Sequence, residues 1–240
     1  MLLIDAGNSR VKWMLVCGQE SVRGAVNNAE WSRLDGLWRE LPAPSRIVAS
    51  NVAGAEMAER LRTVCRQWPV EPKFVEAQAE QCGVRNGYAL PAQLGSDRWA
   101  ALIGAWHAVR CACLVVNCGT ATTVDALTGE GVFLGGLILP GMALMQRSLS
   151  EAAAQLSADE GMVQTFPRNT ADALYNGALQ ATLGAIGRQY TLLQAQTPSA
   201  RCIISGGAAM HVADQLELPH MHIEDLVLQG LKRIAEETEA

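Results

Sequence analysis

Apolar and polar positions along this chain alternate between two rhythms: short apolar runs that stop at glycine or polar turns, and longer stretches with apolar residues every three or four positions. Leu2-Leu3-Ile4 runs into Asp5 and the turn Gly7-Asn8-Ser9, and a second β-prone run over 11–16 predicts a hairpin. Residues 18–44 are polar, with Trp31, Leu34, Leu37 and Trp38 hinting at a short helix. A strand is predicted over 46–50, and Ala58, Leu61, Val64 and Trp68 predict an amphipathic helix over 55–68, ended by Pro69. Residues 73–75 read as a strand, and 81–94, with Gly83, Gly87 and Pro91, as a loop. Trp99, Leu102, Ile103, Trp106 and Val109 share one helical face over 96–110, and Gly95-Ser96-Asp97 stands at its start.

The second half opens on 114–126, where Leu114-Val115-Val116 stops at Asn117, a small-residue turn Cys118-Gly119-Thr120-Ala121 follows, and Thr122-Thr123-Val124 resumes. A strand over 132–138 breaks at Pro140-Gly141, a helix is expected over 142–156, and 157–168 reads as irregular. The longest helical pattern covers 169–194, then a strand over 201–205 runs into Gly206-Gly207, and a helix over 226–234 closes the chain. Strands alternating with helices in both halves predict an α/β fold.

The two hairpins echo each other. Aligning Asp5 with Asn117 places Gly7 on Gly119, Asn8 on Thr120 and Ser9 on Ala121, which suggests two related lobes, each offering a turn to a shared cleft. Glycine lets the backbone approach an anion closely, and successive N–H groups can point at phosphate oxygens.

A chain of 240 residues with 49% hydrophobic and 18% charged residues has ample material for a core. Its net charge of −5 and the lack of a Lys/Arg block argue against a nucleic-acid surface. No basic leader precedes Leu2, and the uncharged run over 131–146 is broken by glycine and proline, so no signal peptide and no membrane span are expected. Seven cysteines without paired C-x-x-C spacing fit reduced thiols, and the expectation is a soluble cytoplasmic protein.

The candidate chemistry sits at the turns. Asp5, with Asn8, Ser9 and Lys12, offers a carboxylate that can hold Mg²⁺ through water beside a lysine that neutralises phosphate; an Asx turn with a solvated lysine is the plain alternative. Asp97 reads either as a helix cap or as the base that takes a proton from a substrate hydroxyl, in a position where a helix N-terminus lowers a carboxyl pKa. Arg98 can pair with a substrate carboxylate or with a surface acid. Gly206-Gly207 lets a nucleotide ring lie against the backbone or simply makes a turn. His220-Met221-His222 reads as a surface loop rather than a metal site, Cys111-Ala112-Cys113 as core, and Trp99/Trp106 as core or a dimer surface. No G-x-x-x-x-G-K-[ST], strand-linked G-x-G-x-x-G or protein-kinase signature is present.

Taken together, Asp5 to Ser9 with Lys12, Tyr88, Gly95 to Arg98, Asn117 to Thr122, Gly135-Gly136 with Pro140-Gly141, Asn169-Thr170 and Ser205-Gly206-Gly207 resemble, in order and end to end, a type III pantothenate kinase of the acetate and sugar kinase/Hsc70/actin superfamily. The resemblance implies two RNase H-like, actin-like ATPase lobes, 1–112 and 113–240, with the nucleotide cleft between them. It implies ATP-dependent phosphorylation of pantothenate, the first step of coenzyme A synthesis, by a homodimer that needs Mg²⁺ and a monovalent cation, K⁺ or NH₄⁺. By the same resemblance Asp5, Ala6, Gly7, Asn8, Ser9, Arg10, Val11 and Lys12 form the first phosphate loop, with Asp5 near Mg²⁺. Thr120 belongs to the second, and Gly206 and Gly207 face adenosine. Asp97 matches the proton acceptor, while Tyr88, Gly95, Ser96, Arg98 and Thr170 match pantothenate contacts. The chain departs from the pattern at Asn117, where many members carry an Asp that binds the monovalent cation; an amide oxygen can still coordinate the ion with less charge. Two rival readings remain, a non-catalytic regulator of the same fold and a kinase for another hydroxy acid or a sugar.

Overall fold

The computed structural model describes residues 1–152 and 161–237. Two compact units divide the chain: Met1–Ala108 with the segment from Asp225 onward, and Val109–Glu224.

The first unit contains β1 (Leu2–Ala6), β2 (Arg10–Cys17), β3 (Glu20–Asn27), α1 (Ser32–Arg39), β4 (Ile47–Asn51), α2 (Ala55–Cys65), β5 (Pro72–Phe74), β6 (Glu80–Gln81), β7 (Val84–Asn86) and α3 (Ser96–Val109). The second contains β8 (Cys113–Cys118), β9 (Ala121–Leu127), β10 (Val132–Pro140), α4 (Met142–Ala152), α5 (Thr170–Gln196), β11 (Arg201–Ser205), α6 (Ala209–Ala213) and β12 (His220–His222). Helix α7 (Leu226–Glu237) follows and returns to the first unit.

In the first unit the strand order is β3-β2-β1-β4-β5, with β1, β2 and β3 antiparallel neighbours and β1, β4 and β5 parallel ones. Strand alternation puts Leu2, Ile4 and Ala6 on one face, where they pack with Leu34 and Trp38 of α1 and Met57, Leu61 and Cys65 of α2. The opposite face carries Asp5, with Lys12 and Ser50 beside it in register. Helices α3 and α7 cross closely: a Cβ on Gly104 would lie 2.6 Å from the Leu226 carbonyl, and one on Gly230 would collide with the Ala100 carbonyl. α7 lies along β1 and β4.

The second unit repeats this plan. Its own strands run β12-β11-β8-β9-β10, antiparallel from β8 to β9 to β10 and parallel from β8 to β11 to β12. Substituting β8 for β1, and so on in chain order, reproduces the first sheet in both order and sense. The echo between the hairpins is therefore an echo of whole sheets. Register carries it further, since Asp5 pairs with Ser50 across β1 and β4 while Asn117 pairs with Ser205 across β8 and β11. Leu114, Val116 and Cys118 pack against Leu179, Ile186 and Tyr190 of α5 and Val212 of α6.

Several elements depart from the sequence pattern. β3 runs through the polar stretch at 20–27, because an edge strand is held by its ladder to β2 and buries only Val26 fully. The expected loop at 81–94 holds the β6–β7 hairpin, whose turn residues Cys82 and Gly83 take φ values of 51° and 75°. His220–His222 forms an exposed parallel edge strand rather than a loop. A division at residue 112 would leave α7 in the second lobe, whereas it packs in the first. The expected helix over 142–156 is seen as far as Ala152, and its remainder, with 157–160 of the irregular stretch, lies outside the described residues.

Candidate active site

The first turn is shaped by a residue outside the motif. Asn28, just after β3, donates its side-chain amide to the Gly7 carbonyl at 3.0 Å and the Asn8 carbonyl at 2.9 Å, and its backbone N–H to Ser9 at 2.9 Å. In a trans peptide the N–H points opposite its carbonyl. Turning these carbonyls toward Asn28 therefore aims the Asn8, Ser9 and Arg10 amides the other way, the arrangement of an anion nest. The side chains of Ala6 and Val11 enter the core, so these positions can meet a ligand only through backbone. Asn8, Ser9 and Arg10 are exposed.

Asp5 and Lys12 face each other across β1 and β2. The Asp5 carboxyl is raised to about 7, chiefly by burial and then by the charge of Asp97, with Lys12 opposing and Asp225 adding a smaller upward push. The Lys12 ammonium lies 3.6 Å from the Asp225 carboxylate. Asp97 opens α3, where its Oδ1 accepts from the Arg98 amide at 2.8 Å. The helix-terminus argument expects a lowered carboxyl pKa, but burial wins and raises it, against the Arg98 amide and guanidinium. A Cβ on Gly95 would stand 2.7 Å from Asp97 Oδ1, so glycine there makes room for the carboxylate. Ser96 is buried and its hydroxyl meets that of Ser50 at 2.9 Å, tying the start of α3 to β4. Arg98 is buried rather than a surface cation; its guanidinium donates to the Tyr88 hydroxyl at 3.0 Å and lies 5.8 Å from the ring centroid. Thus Asp5, Lys12, Asp97 and Asp225 share one electrostatic neighbourhood, with Ser96, Arg98 and Tyr88 adjoining through α3.

In the second unit the Cys118–Thr120 turn is braced from behind. The Ala208 amide donates to the Cys118 carbonyl at 3.0 Å and the Gly141 amide to Thr120 at 2.8 Å. A Cβ on Gly141 would collide with the Gly119 carbonyl, and one on Gly206, whose φ is 103°, with Cys118. Gly206 and Gly207 therefore lie directly beside the turn that bears Thr120, with Asn117 next to it on β8. Thr170 stands at the start of α5, lining a cavity of about 470 Å³ with Met145, Ser148, Leu149, Leu174 and Gly177. Asn169 caps that helix, accepting from the Asp172 amide at 2.8 Å.

Among the described residues no three His, Cys, Asp or Glu side chains converge as a metal cage. Mg²⁺ seldom uses such a cage and is commonly held by one or two carboxylates together with phosphate oxygens. Asp5 beside the Asn8–Ser9 nest fits that donor set. Sequence reasoning missed Asn28, Ser50 and Asp225. Each acts through a partner distant in sequence, and only the Asx-type preference of Asn28 at a strand end was visible locally.

Comparison with known proteins gives one family. The sequence model of the type III pantothenate kinases matches residues 1–191. A type III pantothenate kinase from Nitrosospira multiformis is 48% identical over 240 residues, covering 99% of this chain and 92% of its own. Among solved structures, a Campylobacter jejuni protein assigned to the Baf family of transcriptional activators superposes with a TM-score of 0.63 at 22% identity, covering 100% of this chain and 99% of its own. An archaeal actin homologue superposes with a TM-score of 0.52 at 9% identity, covering 99% and 100%. At such identities these two likenesses establish the actin-like kinase fold alone, the same fold that the duplicated sheets display. With the family model spanning both turn hairpins and Asp97, and a relative at nearly half identity along the full length, this chain belongs to the type III pantothenate kinase family.

Proposed function

We propose that this kinase transfers the γ-phosphoryl group of ATP to the primary hydroxyl of pantothenate, giving ADP and 4′-phosphopantothenate, the first step of coenzyme A synthesis. The observation that carries this reading is the family match over residues 1–191, a stretch that includes every candidate group except Gly206 and Gly207. In the reaction the hydroxyl oxygen forms a bond to the γ-phosphorus, the bond to the β–γ bridging oxygen breaks, and the hydroxyl proton passes to the Asp97 carboxylate. Burial makes that carboxylate a better proton acceptor than an exposed aspartate. In a loose transition state its main work is to orient the hydroxyl.

The amides of Asn8, Ser9 and Arg10, with Lys12 and Thr120, receive the phosphates, and Gly206-Gly207 receives adenosine. Mg²⁺, held near Asp5, neutralises charge on the phosphate oxygens when bound. Tyr88, Gly95, Ser96, Arg98 and Thr170 contact pantothenate, Arg98 through its carboxylate. Asn117 supplies an amide oxygen to a monovalent cation, K⁺ or NH₄⁺. The working state is a cytoplasmic homodimer; no helix among the described residues is long and apolar enough to cross a membrane. The Baf-type likeness, at 22% identity, lends the regulator reading no support beyond the shared fold.

The test is ADP release by purified protein with and without pantothenate, in K⁺, NH₄⁺ and Na⁺ buffers. Pantothenate-dependent ADP that rises with K⁺ or NH₄⁺ is expected. Pantothenate-dependent ADP indifferent to the cation would remove Asn117 from the ion's coordination. No pantothenate dependence in any salt would sink the substrate assignment.

A further inference from the structure

The chain re-enters the first unit at Asp225, a residue outside every turn motif. Its φ of 49° is left-handed, a conformation that costs most residues but that Asp and Asn tolerate best among non-glycines. Its carbonyl accepts from the Gln229 amide at 3.0 Å, so it begins α7. That helix is fixed against α3 through Gly104 and Gly230, so rigid packing rather than a free loop sets where the acid stands.

The carboxylate bridges two strands. Oδ1 lies 3.6 Å from Lys12 Nζ on β2, and Oδ2 lies 3.3 Å from Arg23 Nη1 on β3. The Lys12 and Asp225 side chains are only 24% and 21% exposed, against 72% and 42% for the Arg39–Asp35 pair on α1. Exposed pairs of the second kind contribute little. A shielded acid between two cations, one of them the phosphate-turn lysine, is a different object.

We propose that Asp225 is a positioning residue for the phosphate site, holding the Lys12 ammonium on the Asp5 face of the sheet. The inference rests on the kinase reading and adds to it a residue that acts through Lys12. A free lysine gives up much of its rotamer freedom when it grips a phosphate. One already held in place by an ion pair gives up less and keeps its N–H donors for the ligand. Asp225 faces two cations, so the trio keeps a net positive charge and the acid does not cancel the attraction for phosphate.

The experiment is calorimetric titration of ADP and of a non-hydrolysable ATP analogue, with Mg²⁺, into the full-length wild type and its Asp225→Asn, Asp225→Glu, Lys12→Met and Lys12→Met/Asp225→Asn variants, alongside steady-state kinetics. Asn keeps the left-handed backbone while removing the charge. Asp225→Asn is expected to weaken nucleotide binding about tenfold and to raise KM for ATP while leaving KM for pantothenate unchanged, a tenfold change being one decade in Kd. Asp225→Glu should recover most of the loss, and Asp225→Asn should add nothing in the Lys12→Met background. A purely structural role would instead lower the number of binding sites per chain without changing affinity. Should Asp225→Asn fold poorly, Asp225→Ser, which keeps a short capping side chain, carries the same expectation. Unchanged or tighter binding in the charge-removed variants, or a full loss persisting without Lys12, overturns the proposal. Because the titration needs no pantothenate, a chain acting on another acceptor would still show the Lys12-dependent loss.

Discussion

At the scale of single residues, Asp97 carries the sharpest expectation. Asp97→Asn should cut turnover by roughly 10² or more while nucleotide binding, followed by calorimetry, stays near wild type; near-normal turnover would remove Asp97 from the chemistry. Gly95→Ala puts a methyl group against the Asp97 carboxylate and should lower kcat by about tenfold with little loss of melting temperature, because the far end of a side chain can move aside. The raised Asp97 pKa fixes the sign of the pH dependence. A base must be ionised, so kcat/KM for pantothenate should fall as pH drops, with its acid limb above the ordinary aspartate range. The linked effect on folding runs the other way. Asp5, up to about 7 in the folded chain against 3.8 unfolded, binds more protons folded than unfolded between those values. Stability of the Mg²⁺-free protein should therefore decline from about pH 4 to about pH 7 and then level off. Denaturant unfolding across that range should show a flatter profile in Asp5→Asn; an equally steep one would contradict the buried-carboxyl account. Asp5, Lys12 and Asp97 were legible because polar residues interrupting apolar runs at strand and helix ends stand out. The direction of the Asp97 shift was not, because desolvation depends on what the fold stacks around it.

At the scale of elements, glycine at the α3–α7 crossing decides whether α7, and with it Asp225, can approach. Gly230→Ala should destabilise the chain by about 1–3 kcal/mol or more, read as a lowered melting temperature, because the added methyl meets the Ala100 backbone rather than a side chain that can turn away. The helices α2, α3 and α5 and the buried strands β1, β4, β8 and β11 were readable from periodicity. β3 and β12 were not, because edge strands draw stability from ladder hydrogen bonds and need no apolar alternation. The turn echo also hides a detail of register. Asp5 pairs with Lys12 while Asn117 pairs with Thr123, so the second turn is one residue shorter than the first, and the repeat offset of 112 residues seen at Asp5 and Asn117 falls to 111 beyond it.

At the scale of the whole molecule, the second unit exposes large apolar side chains, among them Ile138 at 65%, Leu149 at 50% and Phe166 at 84%. Such exposure is expected of a surface covered in an assembly. Sedimentation velocity should give twice the chain mass, and Leu149→Asp should shift the protein toward monomer; a monomer at all concentrations would remove the homodimer from the proposal. By itself the sequence determined the α/β class, the pairing of two turn hairpins and the residue types that phosphoryl transfer needs, because these follow from local periodicity and from chemistry written at element ends. Tertiary structure alone decided which residues stand behind those turns. Asn28 orienting the first turn's amides, Gly141 and Gly206 backing the second, Ser50 tying β4 to α3, and a C-terminal helix returning to place Asp225 beside Lys12 all join positions far apart along the chain. Nothing in a local pattern marks such partners, because it is sheet register and helix packing that bring them within hydrogen-bonding distance.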